Sequence, residues 1–266
     1  MSRTAPTGTI TAEIRDGVGW IELSNPLRRN AISTQMMTDL AEALYTLDDN
    51  PTATVIVIRG AGTSAFAAGA DISEFESQQT TTEARDRADS ATAAMFDALS
   101  TVSTPTIAMI HGYCIGAGVA IALGTDIRIA ATGSCFAIPA ARLGIGYPLP
   151  QVRALLNAAG PGIAAEILFT GRRYDALTAL RTGLVNHVVG PAELESTVAE
   201  LARTIATNAP LSVRAAKAAL KSVLDAENSA ARTAAQALIA ACNDSTDALE
   251  GQRAFLEKRP PRFAGG

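Results

Sequence analysis

The stretch of the chain best suited to chemistry is 109–120, where an apolar segment passes through small residues into a helical pattern. Residues 106–110 predict a buried strand, and residues 117–123 predict a helix. Glycine and alanine at such a turn let a ligand or a second backbone approach closely. The helix start has unpaired N–H groups and the positive end of the helix dipole, which suit an anion or a developing oxyanion. Tight packing alone would select the same small residues.

A second stretch of small residues follows a continuous apolar run at 55–60, which predicts a fully buried strand. Its order of strand, G-A-G and F-A-A-G-A-D resembles the first signature of the crotonase (enoyl-CoA hydratase/isomerase) superfamily, and G-Y-C-I-G-A-G at 112–118 resembles the second. The resemblance implies an acyl-CoA site in which the backbone N–H groups of Ala70 and Ala117 bind the thioester oxygen. The family more often has glycine at the second position, but an alanine N–H donates as well where φ is negative.

The loop N-P-L-R-R-N-A at 25–31 resembles the family loop in which a basic residue meets the phosphates of CoA. This match makes Arg28 the candidate, with Arg29 as second choice, because a guanidinium offers phosphate a planar fork of donors. By the same resemblance, Ala68 and Lys258 are candidates for contacts with CoA. A solvated loop and a solvated basic C-terminal segment are the alternatives for the charged residues.

The chain departs from the family at the two positions that carry its acid–base chemistry. Hydration of an enoyl thioester needs an activated water and a proton delivered to carbon, which paired carboxylates supply. The resemblance places this pair of glutamates at Ala120 and Ala140, and a methyl group cannot transfer a proton. The sequence therefore disfavours the standard hydratase mechanism.

Other polar residues near these positions are candidate replacements. Tyr147 follows the second position, Asp71 and Glu74 follow the first oxyanion donor, and His111 precedes the second donor. Arg142 could bind a carboxylated or oxygenated acyl group. A structural role is open for each, since aspartate commonly caps a helix and a tyrosine ring often lines a pocket.

Composition limits the class of protein. The 266 residues suffice for a large core, and 48% apolar residues, 18% charged residues and a net charge of −4 give no indication of nucleic-acid binding. Three widely separated cysteines argue against a disulfide framework or a zinc site, so we expect no metal and no cofactor besides the CoA of a substrate. The polar first residues lack a signal-peptide core, and no uninterrupted apolar run reaches about 18 residues. A cytoplasmic protein without a membrane span is expected.

The elements that must position these residues alternate between strands and helices and later become helical only. Apolar and polar residues alternate on either side of Asp16-Gly17, which predicts a hairpin over 9–24. Ser33 is a candidate N-cap for a helix over 34–48. This order indicates an α/β core over 1–200 and an α-helical region over 201–266. The resemblance implies a spiral of ββα units and a C-terminal trimerisation region, and therefore a homo-trimer or a dimer of trimers.

Three more element boundaries are predicted. A helix over about 84–100 follows a polar connection at 73–90 that is mobile or partly helical. Gly160-Pro161 is a stop signal for the helix before it. Apolar residues at 184–189 predict a strand.

Taken together, these patterns favour an acyl-CoA enzyme whose atypical residues perform lyase, isomerase or hydrolase chemistry through an enolate. The alternative is a non-catalytic acyl-CoA-binding protein that has lost both glutamates. A scaffold subunit with a vestigial site is the third possibility.

Overall fold

The computed structural model describes residues 8–74, 81–224 and 228–265. The described strands are β1 (Thr9–Arg15), β2 (Val18–Ser24), β3 (Val55–Gly60), β4 (Ala65–Ala67), β5 (Thr106–Ile110), β6 (Tyr113–Ile115), β7 (Ile127–Ala131), β8 (Cys135–Ala137), β9 (Tyr174–Asp175) and β10 (His187–Val189). The described α-helices are α1 (Thr34–Asp48), α2 (Thr82–Thr101), α3 (Ala117–Gly124), α4 (Leu149–Thr170), α5 (Ala176–Arg181), α6 (Leu194–Ala206), α7 (Pro210–Leu224), α8 (Ser229–Asn243) and α9 (Thr246–Glu257).

The first strands form the predicted hairpin. Strands β1 and β2 pair antiparallel, and the turn residues Asp16 and Gly17 have φ values of 51° and 79°. Two consecutive positive φ values are what a type I′ turn requires, and Asp-Gly adopts them readily. The sequence-based hairpin is therefore confirmed.

The strands form two sheets. The larger has the order β1-β2-β3-β5-β7-β10 and the smaller the order β4-β6-β8-β9. In chain order, β3-β4, β5-β6 and β7-β8 each place one strand in the larger sheet and the next in the smaller, and a helix follows each pair. This is the spiral of ββα units that the resemblance implies, and the elements described after β10 are all helices.

The larger sheet is buried on both faces, as the continuous apolar strands predict. Ile56 and Ile58 of β3 belong to the main core, while Val55 and Val57 belong to a second cluster on the opposite face. The residues of α6 that cover this second face are Leu194, Val198 and Ala202. The predicted division between residues 200 and 201 thus falls inside a helix that packs on the sheet.

The helix signals nearest the candidate site agree with the structure. Ser33 accepts a hydrogen bond from the Met36 N–H at 3.2 Å and caps α1 where predicted. Helix α2 begins at residue 82, close to the predicted 84. Part of the polar connection predicted before it, residues 75–80, lies outside the described residues.

Of two further boundaries, one agrees with the structure and one does not. The helical run α4 is broken at Gly160, where a φ of 73° and a ψ of 167° are not helical, so the first helix ends at the predicted stop and a second follows at once. Pro161 then begins the second half of the helix, where a missing N–H leaves no bond unmade. The strand predicted over 184–189 is restricted to β10, because the Val185 N–H donates to the Ala179 carbonyl at 3.3 Å and the Leu184 carbonyl accepts from the Arg128 Nε at 2.8 Å, outside the ladder with β7.

Helix α4 is also long and apolar enough to cross a membrane, by length and composition alone. Its residues Leu155, Ala164 and Ile167 are buried in the main core. Arg153 and Glu166 interrupt its apolar sequence. Packing against the core accounts for part of its apolar character.

The helical tail is attached to the spiral through two lysines of α7. The Lys217 ammonium donates to the Thr104 carbonyl at 2.8 Å and pairs with Asp126 at 2.7 Å. Lys221 donates to the Val102 carbonyl at 2.9 Å. These bonds join α7 to the end of the larger sheet where β5 and β7 begin.

Candidate active site

Ala70 lies in a turn whose local hydrogen bonds leave its N–H open. It forms an isolated parallel bridge with Ile32. The Ile32 N–H donates to the Gly69 carbonyl at 2.8 Å, and the Asp71 N–H donates to the Ile32 carbonyl at 2.8 Å. These bonds use the groups on either side of Ala70, whose own N–H has no acceptor within the described part of the chain. Such an amide needs an oxygen from a ligand or from water.

Ala117 is the first residue of α3, where an N–H has no intrahelical acceptor. The residue before it, Gly116, has a φ of 51° and donates its N–H to the Ala137 carbonyl at 2.8 Å. Because the positive φ falls on glycine, Ala117 does not need a left-handed backbone. Alanine in place of the family's usual glycine is therefore compatible with an amide donor here.

The two turns lie beside each other, and Gly118 lets α3 approach β4 closely. A Cβ built on Gly116 would lie 3.7 Å from the Cα of Gly69, and one on Gly118 would lie 2.3 Å from the Ala67 carbonyl oxygen. Strands β4 and β6 pair in parallel immediately before the turns. The fold thus brings Ala70 and Ala117 onto adjacent turns, and binding of one oxygen by both amides stays a prediction.

The positions matched to the family glutamates lie among apolar surroundings. Ala120 is a buried residue of α3, and Ala140 packs against the main core at the start of the 3-10 helix Ala140–Leu143. Arg142 of the same short helix is exposed, and its Nε donates to the Thr170 carbonyl at 3.3 Å. An acyl group bound near these alanines would contact methyl groups at both positions.

Tyr147 has a hydroxyl group that is available for a hydrogen bond to a ligand. Its ring packs against the main core, and its hydroxyl oxygen is buried without a hydrogen-bond partner among the residues described. Burial raises the pKa of the Tyr147 phenol, and the nearby Cys114 adds to the shift. The hydroxyl therefore keeps its proton at neutral pH and can donate it in a hydrogen bond.

The two candidate carboxylates already have partners. Asp71 accepts from the Arg28 guanidinium at 2.6 Å and from the Ser73 hydroxyl at 2.8 Å. Although burial opposes the change, the bonds from Ser73 and Arg28 lower the pKa of the Asp71 carboxyl. Glu74 accepts from the N–H and the hydroxyl of Thr34 at 2.9 and 2.8 Å, at the start of α1. Both side chains stabilise the turn that follows Ala70.

The candidates for CoA contacts lie in different surroundings. Arg28 pairs with Asp71, while Arg29 lies over the Tyr113 ring with its guanidinium carbon 4.8 Å from the ring centroid. The Ala68 N–H donates to the Arg29 carbonyl at 3.1 Å, which places this candidate beside the same loop. Lys258 is exposed at the end of α9. The three assignments, to Arg28, Ala68 and Lys258, stay predictions.

Sequence reasoning missed the residues that hold the loop 25–31 in place. Asn30 is buried, and its side-chain N–H groups donate to the carbonyls of Ala61 at 3.0 Å and Ala65 at 2.8 Å. Its Oδ1 accepts from the Asn25 N–H at 3.0 Å. The loop that carries Arg28 is thereby fixed to the segment that leads to Ala70. The asparagines of the loop motif were the available signal.

His111 is the second residue whose partner the sequence did not identify, although a structural role was among the expectations for it. Its Nε2 is bonded to the Gly62 carbonyl, and its buried Nδ1 has no partner in the described ranges. Burial lowers the pKa of His111, and the Gly62 bond partly offsets this. The ring lines a cavity of about 410 Å³ together with Glu22, Arg59 and Glu195.

A spiral of ββα units whose two small-residue turns present open amides is the architecture of an acyl-thioester enzyme of the crotonase type. The family model described as enoyl-CoA hydratase/isomerase matches residues 13–266. The chain belongs to the enoyl-CoA hydratase/isomerase family.

Individual relatives agree along nearly the whole chain. A Mycobacterium bovis protein named "probable enoyl-CoA hydratase echA8" is 35% identical over 258 residues, which cover 96% of this chain and 97% of the relative. The short-chain-enoyl-CoA hydratase of Clostridium acetobutylicum is 31% identical, with 91% of this chain and 92% of the relative covered. The crystal structure of enoyl-CoA hydratase from Bacillus anthracis superposes with a TM-score of 0.88 at 30% identity, over 97% of this chain and 99% of that chain.

Proposed function

We propose that this protein binds an acyl-CoA thioester, polarises its carbonyl with the N–H groups of Ala70 and Ala117, and performs lyase, isomerase or hydrolase chemistry through an enolate. Two open amides on adjacent turns, which follow the paired strands β4 and β6, are the observation that carries the proposal. Amide donors aimed at a developing negative charge lower the barrier more than they stabilise the ground state. The CoA portion is part of the substrate, and Arg28, Ala68 and Lys258 are its proposed contacts.

Tyr147 is the proposed proton donor in this mechanism. Asp71 and Glu74, the other candidates, are engaged with Arg28 and with Thr34. The Tyr147 hydroxyl is buried, protonated and without a partner in the structure as described, so an enolate or acyl oxygen would give it the acceptor it lacks. Its place after the Ala140–Leu143 helix is also near the second position matched to a family glutamate.

The second candidate function is that of a non-catalytic acyl-CoA-binding protein, which Ala120 and Ala140 favour. Without carboxylates at these positions, the site would retain the ability to bind an acyl-CoA but not the standard means of activating water. We propose further that the protein is cytoplasmic and that α7 to α9 form a trimerisation region, giving a homo-trimer or a dimer of trimers. Exposed apolar side chains on these helices support this assembly: Leu220, Val223, Leu224, Ile239, Leu249, Phe255 and Leu256.

Calorimetry with acyl-CoAs, followed by turnover of a panel of enoyl-, dienoyl- and oxo-acyl-CoAs, tests the proposal. Binding with turnover supports the enzyme, and binding without turnover supports the non-catalytic protein. Absence of binding to every acyl-CoA would contradict both. Glutamate at both alanine positions, in the variant Ala120→Glu/Ala140→Glu, should raise crotonyl-CoA hydration, and Tyr147→Phe should lower turnover of any productive substrate while leaving binding intact.

A further inference from the structure

We infer that His111 is a positioning residue that fixes the two amide donors relative to each other. The inference rests on the function proposed above, because it concerns the geometry of that thioester site. His111 lies outside the site itself, at the far end of the segment that leads to Ala117.

The contact of His111 joins the two segments that carry the donors. The ring bonds to Gly62, in the loop that leads through β4 to Ala70, while His111 itself leads through β6 to Ala117. A carbonyl oxygen only accepts, so Nε2 carries the hydrogen and the imidazole is the neutral Nε2–H tautomer. The unpartnered Nδ1 is then a bare acceptor.

Backbone contacts beside this bond are tight enough to transmit its position. The Tyr113 N–H donates to the Ser64 carbonyl at 3.2 Å, and Ala65 and Gly112 form an antiparallel bridge. A Cβ on Gly112 would lie 2.0 Å from the Ser64 carbonyl oxygen. A shift of the loop at Gly62 would therefore displace the turn that begins at Gly112.

Protonation of His111 would disturb these contacts between the two segments. Arg59 of β3 faces the ring in the same cavity, together with Glu22 of β2 and Glu195 of α6, which lie 3.0 and 3.7 Å from the Arg59 guanidinium. A proton on Nδ1 would add a buried positive charge beside Arg59 and a new N–H with no acceptor in the described chain. The cavity gives protons a route to the ring. We therefore expect the wild-type kcat to fall as the pH drops below the ordinary range of histidine.

The experiment compares His111→Leu, His111→Gln and His187→Gln with the wild type. Bound acyl-CoA labelled with ¹³C at its carbonyl is followed by difference infrared spectroscopy, and kcat and KM are measured against pH. His111→Leu should bind the acyl-CoA, should lose a large part of the shift of the carbonyl stretch to lower frequency, and should lose about tenfold in kcat with little change in KM. His111→Gln should restore most of both, since its side-chain N–H can donate to Gly62, and should lack the acidic fall of kcat. His187→Gln changes an exposed histidine and should match the wild type.

The outcomes separate this inference from the proposed function. A wild type that shows no thioester binding or no carbonyl shift contradicts the proposed function, and this inference with it. A normal wild type with an unchanged shift and kcat in His111→Leu overturns the inference alone. If His111→Leu does not fold, His111→Gln decides: retention of the wild-type acidic fall in kcat overturns the inference, and its loss supports it.

Discussion

Replacement of Asn30 by alanine should weaken the protein far more than its loop position would indicate. The substitution removes the two donated bonds to Ala61 and Ala65 and the bond accepted from Asn25. At about 1 kcal/mol for each net hydrogen bond, the loss is about 3 kcal/mol. Asn30 also has a φ of 57°, which asparagine tolerates better than alanine by about 1 kcal/mol. We expect Asn30→Ala to reduce the free energy of unfolding by about 4 kcal/mol, a large part of the 5–15 kcal/mol typical of a domain.

Asn30→Asp makes the prediction sharper. Aspartate keeps the acceptor for the Asn25 N–H and tolerates the positive φ, but it places a carboxylate where two carbonyl oxygens need donors. It should therefore be more destabilising than alanine at pH 7, and the excess should shrink as acidification protonates it and restores one donor.

Urea denaturation followed by the fluorescence of Trp20, the single tryptophan of the chain, measures both variants. Asn157→Ala, at an exposed position of α4, is the matched control and should change stability by less than about 0.5 kcal/mol. A loss below about 1 kcal/mol in Asn30→Ala, or an Asn30→Asp variant as stable as Asn30→Ala at pH 7, would refute the reasoning. Arg28 lies on the loop that Asn30 fixes, so a parallel rise of the acyl-CoA Kd is expected in Asn30→Ala.

Three further predictions concern glycine, lysine and arginine positions. Gly118→Ala should destabilise the protein by about 1–3 kcal/mol, since its Cβ would lie 2.3 Å from the Ala67 carbonyl oxygen, and calorimetry should show weaker acyl-CoA binding. The control Gly162→Ala has no atom from another part of the described chain within 4 Å of the new Cβ and should leave stability and binding unchanged. Burial lowers the pKa of Lys221 from 10.5 to about 8, so the wild type should gain stability relative to Lys221→Met as pH rises from 8 to 10.5, by up to about 3 kcal/mol; a constant difference in urea midpoints across that range would contradict it. Arg28→Ala should raise the acyl-CoA Kd more at low salt than at high salt if the guanidinium meets phosphate, and a salt-independent effect would argue for its structural bond to Asp71 instead.

The parts of the fold that the sequence predicts are those in which a short stretch contains the whole signal. The hairpin follows from Asp16-Gly17 and the alternation on either side, and the start of α1 follows from Ser33. Gly160-Pro161 likewise marks the break in α4, because glycine takes the positive φ and proline can begin a helix. The strand predicted over 184–189 is too long, because Val185 and Leu184 form hydrogen bonds to Ala179 and Arg128 before the ladder begins, and such partners are known only once α5 and β7 have been placed.

The candidate site likewise contains residues that the sequence marks and residues that it does not. The family motifs mark Ala70 and Ala117, because the backbone turns they require select glycines at fixed spacing. The bonds that Asn30 and His111 donate could not be assigned from the sequence, since the carbonyls that accept them lie 31 to 49 residues away and are reached only after β3, β4 and β5 have been placed. A polar residue in a loop has the same appearance in the sequence whether it is solvated or buried.

The chemistry open to the site follows from which polar groups are free to change partners. A carboxylate that moves protons must give up one hydrogen-bonding arrangement for another, and Asp71 would have to leave Arg28 and Ser73 to do so. Burial opposes the change, but the bonds from Ser73 and Arg28 lower the pKa of Asp71, which makes its carboxylate a poor general base at neutral pH. Tyr147 has the opposite property, because its buried hydroxyl has no partner among the described residues that it would have to give up. A reaction at the proposed site is therefore expected to begin with polarisation of the thioester carbonyl and to end with protonation by a neutral acid. Activation of water by a pair of carboxylates is not expected, because the positions matched to that pair are Ala120 and Ala140.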